Sequence, residues 1–269
     1  MSAASKVLSP SQKPLRVAAL AGGVGGARLS HGLAQLGADL ELSVIVNVGD
    51  DFNHLGLKIC PDLDTVCYTL AGLSNLQTGW GRAGDSFAAM SVIEQLGGPS
   101  WFHLGDLDLG LHLARTQRLR SGERLSGITC DLCRAWGIAA QVLPATDDPV
   151  PTRVITPEGE LDFQEYFVHL SCRPQVSAFR FEGAAQAVPA PGVLPALSGA
   201  DLVIFCPSNP WVSIDPILAI PGIRQALLQA RAAGIPIACV SPILGGRAVK
   251  GPAAKMFSEL GISPSSLAV

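Results

Sequence analysis

The stretch RVAALAGGVGGARLSHGLAQLG (residues 16–37) decides the fold of this chain. Its apolar start at Arg16–Leu20 predicts a short strand, the glycines that follow predict a turn, and the later leucines recur at the spacing of one helix face. A second strand is predicted in ELSVIVNVGDD (residues 41–51), which is apolar nearly throughout, as is typical of a strand covered on both faces. Strand, turn, helix and strand within about 30 residues form a βαβ unit, so the two strands should run parallel.

The same alternation of strands and helices continues along the chain and is interrupted once. Around TRVITPEGELDFQEYFV (residues 152–168) the apolar period changes to two, and Glu158-Gly159 stands between two alternating segments, which predicts a β-hairpin. We therefore predict an α/β fold with a Rossmann-like, doubly wound, mostly parallel sheet. The predicted organisation is a disordered leader (residues 1–15) and a single domain (16–269), with a helical insertion at about 63–136 and a β-hairpin insertion at about 150–182. Further helices are predicted at Leu63–Leu73, Ser86–Leu96 and Ile223–Ala233, with two more within 110–136, and further strands at 140–144, 200–206 and 235–240.

Composition excludes several classes of function. Of the 269 residues, 48% are hydrophobic and only 15% are charged, which is typical of a well-buried globular protein. The formal net charge of −3 gives no general attraction to nucleic acid or to an anionic membrane. Seven cysteines, an odd number without framework spacing, favour reduced thiols, and the polar N-terminus shows no secretion signal, so we expect a cytoplasmic protein.

The glycine turn is the first candidate for binding phosphate. Glycines permit close approach of the backbone, and the following helix offers unpaired N–H groups to an anion. The alternative is a tight turn that only brings helix and strand together. The GxGxxG pattern is not met, because Arg28 stands where the third glycine belongs, and no acidic residue closes the second strand, so NAD is disfavoured. The candidate phosphate-binding residues of this turn are Gly22, Gly23, Val24, Gly25, Gly26 and Arg28.

The acidic stretch NVGDDFNHLGLKICPDLDTV (residues 47–66) follows the second strand. Because parallel strands end at the same edge of a sheet, Asp50 and Asp51 should emerge beside the glycine turn. Carboxylates next to a diphosphate would repel it unless a divalent cation lies between them, and Mg²⁺ is bound in this way. Asp62 and Asp64 have an alternative role as N-cap or first-turn acids of the helix that they begin.

The loop PSNP (residues 207–210) follows a third strand of the same polarity, and Ser213 comes shortly after it. Ser208 and Asn209 are suited to hydrogen-bond a base, a ribose or a phosphate, although a proline-stiffened turn is the alternative. The CxxC spacing at Cys130 and Cys133 lacks a second ligand pair, which disfavours zinc.

Eight segments of the chain, in consistent order from about Arg16 to Met256, resemble one family. They are AGGVGGARLSHGL, VNVGDDFNHLGLKICPDLDTVCYTLAGL, TGWGRAGDSF, WFHLGDLDLGLHLARTQRL, LPATDDPVPTRVIT, LDFQEYFV, PSNPWVSIDPIL and VSPILGGRAVKGPAAKM. The chain resembles the CofD family, the 2-phospho-L-lactate transferases of coenzyme F420 biosynthesis. The resemblance implies a Mg²⁺-dependent transfer of a phospho-organic acid, lactyl or enolpyruvyl, from a diphospho-5′-guanosine conjugate to the deazaflavin Fo (7,8-didemethyl-8-hydroxy-5-deazariboflavin), with release of GMP. It also implies a homodimer.

The resemblance assigns roles to residues of this chain. It implies catalytic roles for Asp50 and Asp51, and metal binding by Asp50, Asp51 and Asp62. It implies nucleotide and diphosphate binding by the glycine turn together with Ser208, Asn209 and Ser213. The residues implied for the deazaflavin pocket are Asp51, His54, Trp80, Arg82, Asp85 and Ser86.

An alternative function has to be weighed against this resemblance, and the chain departs from the family pattern at its C-terminus. The alternative is a non-catalytic regulator that binds a nucleotide sugar, similar to the gluconeogenesis-factor (YvcK-like) family, which also opens with a GGxG turn. The aspartate-rich stretch and the GWGRAGDSF segment favour the transferase, because a regulator needs no deazaflavin pocket. CofD-family chains usually continue several dozen residues beyond GISPSSL with a further βα portion. Two alternatives follow: this chain is truncated at its C-terminal portion, or the remainder folds without that portion.

Overall fold

The computed structural model describes residues 13–77 and 80–266. The strands in this part of the chain are β1 (Leu15–Ala21), β2 (Leu40–Val46), β3 (Phe52–His54), β4 (Leu57–Ile59), β5 (Gln141–Pro144), β6 (Thr152–Thr156), β7 (Gly159–Asp162), β8 (Ala178–Phe181), β9 (Leu202–Phe205), β10 (Ile237–Cys239), β11 (Ile243–Leu244) and β12 (Arg247–Ala248). The α-helices are α1 (Val24–Ala34), α2 (Pro61–Leu70), α3 (Ala88–Gln95), α4 (Asp106–Arg120), α5 (Leu125–Ala135), α6 (Val193–Ser198), α7 (Asp215–Leu218), α8 (Ile223–Ala232) and α9 (Ala253–Glu259).

A five-stranded sheet in the order β5-β2-β1-β9-β10 forms the centre of the fold, and every neighbouring pair in it is parallel. This arrangement confirms the predicted α/β fold with a mostly parallel, Rossmann-like sheet. The chain builds outward from β1 to β2 and β5, then returns to the other side of β1 with β9 and β10. Ligands of such sheets bind where the strand order reverses, which is between β1 and β9 here.

Helices cover both faces of this sheet, because successive side chains of each strand point to opposite sides. On β1, Val17 and Ala19 belong to a core shared with α1, α2 and α5. Ala18 and Leu20 belong to the opposite core, which α6 and α8 complete. Burial on both faces explains why these strands are apolar without alternation.

The predicted helical insertion divides into two parts. Helices α2 and α5 bury their apolar sides in the sheet core, so they are layers of the doubly wound fold. The hairpin β3-β4 and helices α3 and α4 form a separate lobe around Ile59, Met90 and Leu104. A buried ion pair between Asp64 on α2 and Arg115 on α4 connects the lobe to the sheet layer.

The predicted β-hairpin is present as β6 and β7, with Gly159 at the turn in a positive φ of 137°. A strand that the sequence analysis missed, β8, pairs with the other side of β6 and makes a three-stranded antiparallel sheet. The leader predicted over residues 1–15 falls largely outside the described residues, and β1 begins within it at Leu15. No helix in the described ranges is long and apolar enough to cross a bilayer.

Candidate functional site

The glycine turn after β1 and the loop after β9 interlock at the point where the strand order reverses. The backbone N–H of Gly22 donates a hydrogen bond of 3.1 Å to Ser208 Oγ. A Cβ on Gly25 would lie 2.1 Å from the carbonyl oxygen of Pro207, and one on Gly22 would lie 2.4 Å from Ser213 Cβ. Glycine is therefore required here for space, since none of the turn glycines has a positive φ.

Helix α1 begins at this turn without a side-chain cap and without an acidic residue in its first turn. Its first N–H groups and the positive end of its dipole are therefore left for an external acceptor. Gly23, Val24 and Gly25 line a cleft of about 860 Å³ at this point. The start of α1 thus offers the cleft an anion-binding end.

Two carboxylates lie directly beside the glycine turn. The backbone N–H of Asp62, in the first turn of α2, donates to Asp50 Oδ2 at 3.1 Å. A Cβ on Gly23 would lie 2.6 Å from Asp62 Oδ1. The structure therefore brings Asp50 and Asp62 together with the turn; the rule for neighbouring parallel strands predicts this for Asp50, whereas Asp62 comes from the start of α2.

The environment of this pair opposes two negative charges. Desolvation raises the pKa of Asp50 well above its ordinary value, and the charges of Asp62 and Asp51 raise it further. Desolvation likewise raises the pKa of Asp62, to about 7, against the opposing hydrogen bond from Asn47. Within the described ranges neither carboxylate has an ion-pair partner, so each ionised form lacks compensation.

This donor set suits a divalent cation. No cluster of three or more His, Cys, Asp or Glu side chains in the described part of the chain is arranged to hold a metal by itself. Mg²⁺, however, is commonly held by one or two carboxylates, with substrate phosphates and water completing its shell. Asp50 and Asp62 beside an anion-binding helix end provide that combination.

Asp51 faces in another direction. Its Oδ2 lies 3.2 Å from Lys58 Nζ and accepts a hydrogen bond from Cys60 Sγ at 3.1 Å. It lines a second cavity of about 450 Å³, together with Lys58 and Arg153, whereas Asp50 lines both cavities. The structure does not bring Asp51 to the glycine turn, and its metal-binding and catalytic roles stay predictions.

Asp64 is a structural residue of this region. It lies in the first turn of α2, as the alternative interpretation of Asp62 and Asp64 predicts, but the N-cap position is Cys60. Asp64 pairs with the buried Arg115, whose Nη1 also lies 3.4 Å from His112 Nδ1. Asp64 therefore secures α2 without facing the cleft.

Aromatic side chains form a wall of the same cleft that the glycine turn lines. Trp80, which the sequence analysis placed in the deazaflavin pocket, is among them. Trp101, Phe102, Phe163 and Phe167 also line this wall and were missed. Their segments, WFHLG and LDFQEYFV, concentrate aromatic residues in a chain with only four tryptophans and nine phenylalanines, which is a signal that could have identified them.

The other residues predicted for the deazaflavin pocket do not line the described cleft. His54 is buried against Trp101, with ring centroids 5.1 Å apart. The Arg82 guanidinium lies 5.7 Å from the centroid of the Tyr68 ring. Asp85 accepts from the backbone N–H of Leu107 at the start of α4, and Ser86 Oγ donates to Asp106. These contacts organise the lobe, against which Trp101 and Phe102 of the aromatic wall pack.

The residues predicted for the nucleotide also border this cleft. Arg28, Ser208, Asn209 and Ser213 all line it. The Asn209 side chain is also structural, since its Oδ1 accepts from the backbone N–H of Trp211 at 3.1 Å and caps the helical turn Pro210–Ile214. Lys250 lines the cleft as well, which adds a cationic side chain to its lining.

Fold and site together define a Rossmann-like α/β protein with an anion-binding cleft at the switch point of its sheet. The family model of 2-phospho-L-lactate transferase CofD matches residues 17–267. This chain therefore belongs to the CofD family of transferases.

Named relatives agree with that assignment, and a solved structure has the same fold. The chain is 46% identical over 260 residues to a phosphoenolpyruvate transferase of Streptomyces griseus, covering 95% of this chain and 81% of the relative. It is 43% identical over 275 residues to a phosphoenolpyruvate transferase of Mycobacterium tuberculosis, covering 95% and 82%. A solved Bacillus halodurans protein of the UPF0052 family has a TM-score of 0.56 at 19% identity, covering 80% of this chain and 66% of that one, and shows the fold alone.

The interlocked loops predict opposite effects for two glycine-to-alanine changes on α1. Gly25→Ala should destabilise the protein by about 1–3 kcal/mol, because the new methyl group meets a backbone carbonyl. Gly32→Ala is the matched control, since no atom lies within 4 Å of its Cβ position, and it should stabilise the helix by about 0.5–1 kcal/mol. Urea unfolding measures both, and equal stability of the two variants would contradict the interlocked arrangement.

The raised carboxyl pKa values predict that Mg²⁺ stabilises the protein more at pH 8 than at pH 5.5. When folding raises the pKa of a carboxyl group, that group stabilises the protein at pH values below its pKa in the unfolded chain. The stabilisation is lost as the pH rises through the pKa in the folded protein, which is about 7 for Asp62. Above pH 7, a cation bound to the ionised carboxylates restores the lost stability. Thermal unfolding with and without Mg²⁺ gives the increment at each pH. Asp62→Asn should shrink the increment at pH 8, and an increment that is independent of pH would refute the prediction.

Proposed function

We propose that this protein transfers a phospho-organic acid from a diphospho-5′-guanosine conjugate to the deazaflavin Fo, giving coenzyme F420-0 or its dehydro form, and GMP. The observation that carries the proposal is the Asp50–Asp62 pair beside the glycine turn, at one end of a cleft with an aromatic wall. A diphosphate, a divalent cation and a planar ring system each find a matching surface there.

The acid that we propose is enolpyruvate. Relatives that are 43–46% identical over 95% of this chain are named phosphoenolpyruvate transferases, whereas the family model takes its name from 2-phospho-L-lactate. The 2-phospholactyl conjugate is therefore the second donor to test.

The glycine turn and the start of α1 would bind the donor's diphosphate through backbone N–H groups. Arg28 and Lys250 add positive charge at this end of the cleft, and Ser208 and Ser213 add hydroxyl groups. The aromatic wall, with Trp80 and Trp101, would hold the deazaflavin ring by stacking and apolar contact.

Asp50 and Asp62 would hold Mg²⁺, which when bound would neutralise charge on the diphosphate and on the leaving phosphate. The protein's own contribution is alignment, with the acceptor hydroxyl opposite the leaving group. A bond forms between the ribityl 5′-hydroxyl oxygen of Fo and the phosphorus that bears the acid. The bond from that phosphorus to the bridging oxygen breaks, and GMP leaves with the oxygen.

A group in the cleft must accept the proton of the acceptor hydroxyl. Asp50 is the better placed of the two predicted catalytic aspartates, because it lines the cleft while Asp51 is held by Lys58 and Cys60. A loose phosphoryl-transfer transition state needs little proton removal by a base, so alignment of the reactants contributes more to the rate. The homodimer implied by the resemblance and the cytoplasmic location expected from the cysteines and the N-terminus stay predictions.

Incubation with Fo, Mg²⁺ and each guanosine conjugate, followed by mass detection, tests the proposal. We expect dehydro-F420-0 and GMP from the enolpyruvyl conjugate, and a loss of roughly 10²-fold or more in rate for Asp62→Asn. Asp131→Asn, on the exposed side of α5, is the matched control and should leave the rate unchanged. Asp51→Asn, assayed in parallel, tests the predicted catalytic role of Asp51.

Two outcomes would overturn the proposal. One is the absence of product from every conjugate with a folded protein. The other is calorimetric preference for a uridine diphosphate sugar over GDP, which would favour the nucleotide-sugar-binding regulator instead.

A further inference from the structure

Asn47 stands at the exit of β2, and its side chain joins four segments of the site. It is fully buried, with 0% of its surface exposed. Its Nδ2 lies 2.9 Å from Asp62 Oδ2 on α2 and 3.1 Å from the carbonyl oxygen of Val212, in the helical turn after β9. Its Oδ1 accepts from the backbone N–H of Gly49 at 2.8 Å. A single amide therefore links the loop after β2 to the elements on either side of it.

The orientation of the amide follows from these partners. Gly49 N–H is a donor, so the atom facing it must be the carbonyl oxygen of the amide. The NH₂ group then faces three acceptors: Asp62 Oδ2, the Val212 carbonyl and, at the longer distance of 3.5 Å, Asp50 Oδ1. Its two hydrogens satisfy the two nearer acceptors, and the positive side of the amide dipole faces both carboxylates.

We infer that Asn47 is a positioning residue, which fixes the carboxylate of Asp62 beside Asp50 and the glycine turn so that the pair can bind a divalent cation. The inference rests on the proposed function and assigns this residue a task within it. Asn47 meets neither substrate nor cation in this account. It acts through Asp62, as hydrogen-bond partners behind metal ligands commonly do.

The chemistry of the position favours a neutral donor. A lysine there would compensate the carboxylates itself and compete with a divalent cation for them. An aspartate would add a third negative charge and would offer no hydrogen to Asp62 when ionised. An amide donates to the carboxylate and leaves the charge of the pair unchanged, which is what a cation site requires.

Asn47 also explains a feature of the sequence that counted against dinucleotide binding. In dinucleotide-binding sheets an acidic residue at the end of the second strand binds a ribose hydroxyl. Here the residue at that place faces inward, toward Asp62, and is closed off from solvent. The end of β2 therefore serves the carboxylate pair rather than a ribose.

A purely structural role is the competing explanation, because Asn47 also satisfies the Val212 carbonyl and Gly49 N–H. The two explanations differ in cation affinity. Removal of the amide should weaken binding of Mn²⁺ alone by roughly 10–100-fold if Asn47 positions Asp62. A structural role alone would lower the unfolding midpoint and leave the affinity of the folded protein unchanged.

The test compares variants by Mn²⁺ titration, with free Mn²⁺ followed by electron paramagnetic resonance, below each variant's unfolding midpoint. Asn47→Ala should show the weaker affinity. Asn47→Ser keeps a polar group near Gly49 but no donor that reaches Asp62, so it should also bind Mn²⁺ more weakly. If Asn47→Ala does not fold, the Mn²⁺ affinity of Asn47→Ser tests the inference. Thr146→Val is the control, because Thr146 is also fully buried and follows the neighbouring strand β5. Its hydroxyl donates a hydrogen bond of 2.6 Å to the Val188 carbonyl oxygen. This change should destabilise the protein without changing the Mn²⁺ affinity.

Failure of this inference and failure of the proposed function give different results. If Asp62→Asn abolishes Mn²⁺ binding but both Asn47 variants bind as tightly as the unmodified protein, Asn47 has no positioning role and the cation site stands. If Asp62→Asn binds Mn²⁺ normally, the cation site itself is wrong. In turnover assays the Asn47 variants should lower kcat with little change in KM for Fo, because the aromatic wall is untouched.

Discussion

The close approach of Asp50 and Asp62 beneath the glycine turn is the constraint on which the site depends. Two carboxylates in a desolvated place repel each other, and the described residues offer them no cation. The surroundings nevertheless fix them together, since Asp62 N–H donates to Asp50 and Gly23 leaves the space that Asp62 occupies. Such an arrangement is stabilised when a divalent cation neutralises it. The glycines, the start of α1 and the buried amide of Asn47 all contribute to this one site.

The fold supplies this constraint through its strand order. Because β1, β2 and β9 end at the same edge, the loops that follow them meet, and the glycine turn packs directly on Pro207 and Ser208. The helical lobe is then fixed relative to the sheet by the buried Asp64–Arg115 pair. Trp101 and Phe102, which pack against this lobe, therefore share one cleft with Asp50 and Asp62, and transfer between two bound molecules requires such a shared cleft.

The sequence predicted the sheet and the meeting of its loops, because both follow from local pattern and from the rule that parallel strands end together. The same rule predicted that Asp50 and Asp51 would emerge beside the glycine turn, and of these two only Asp50 lines the cleft there. Asp62 was assigned to the metal by the family resemblance alone. The sequence could not decide that Asp51 faces Lys58, since consecutive side chains in a turn point in different directions and only packing selects between them. The resemblance assigned Arg82 and Asp85 to the deazaflavin pocket, whereas in the structure Arg82 lies against Tyr68 and Asp85 bonds the start of α4. Asn47 was passed over because its partners are 15 and 165 residues away in the chain.

The most direct measurement of the central claim is a crystal structure of the protein with GDP and Mn²⁺, in which anomalous scattering locates the cation. The account predicts a single strong peak within coordinating distance of carboxylate oxygens of both Asp50 and Asp62, with a phosphate oxygen of GDP completing the shell. A peak at Asp51 and Lys58 instead, or a diphosphate bound away from the glycine turn, would contradict it.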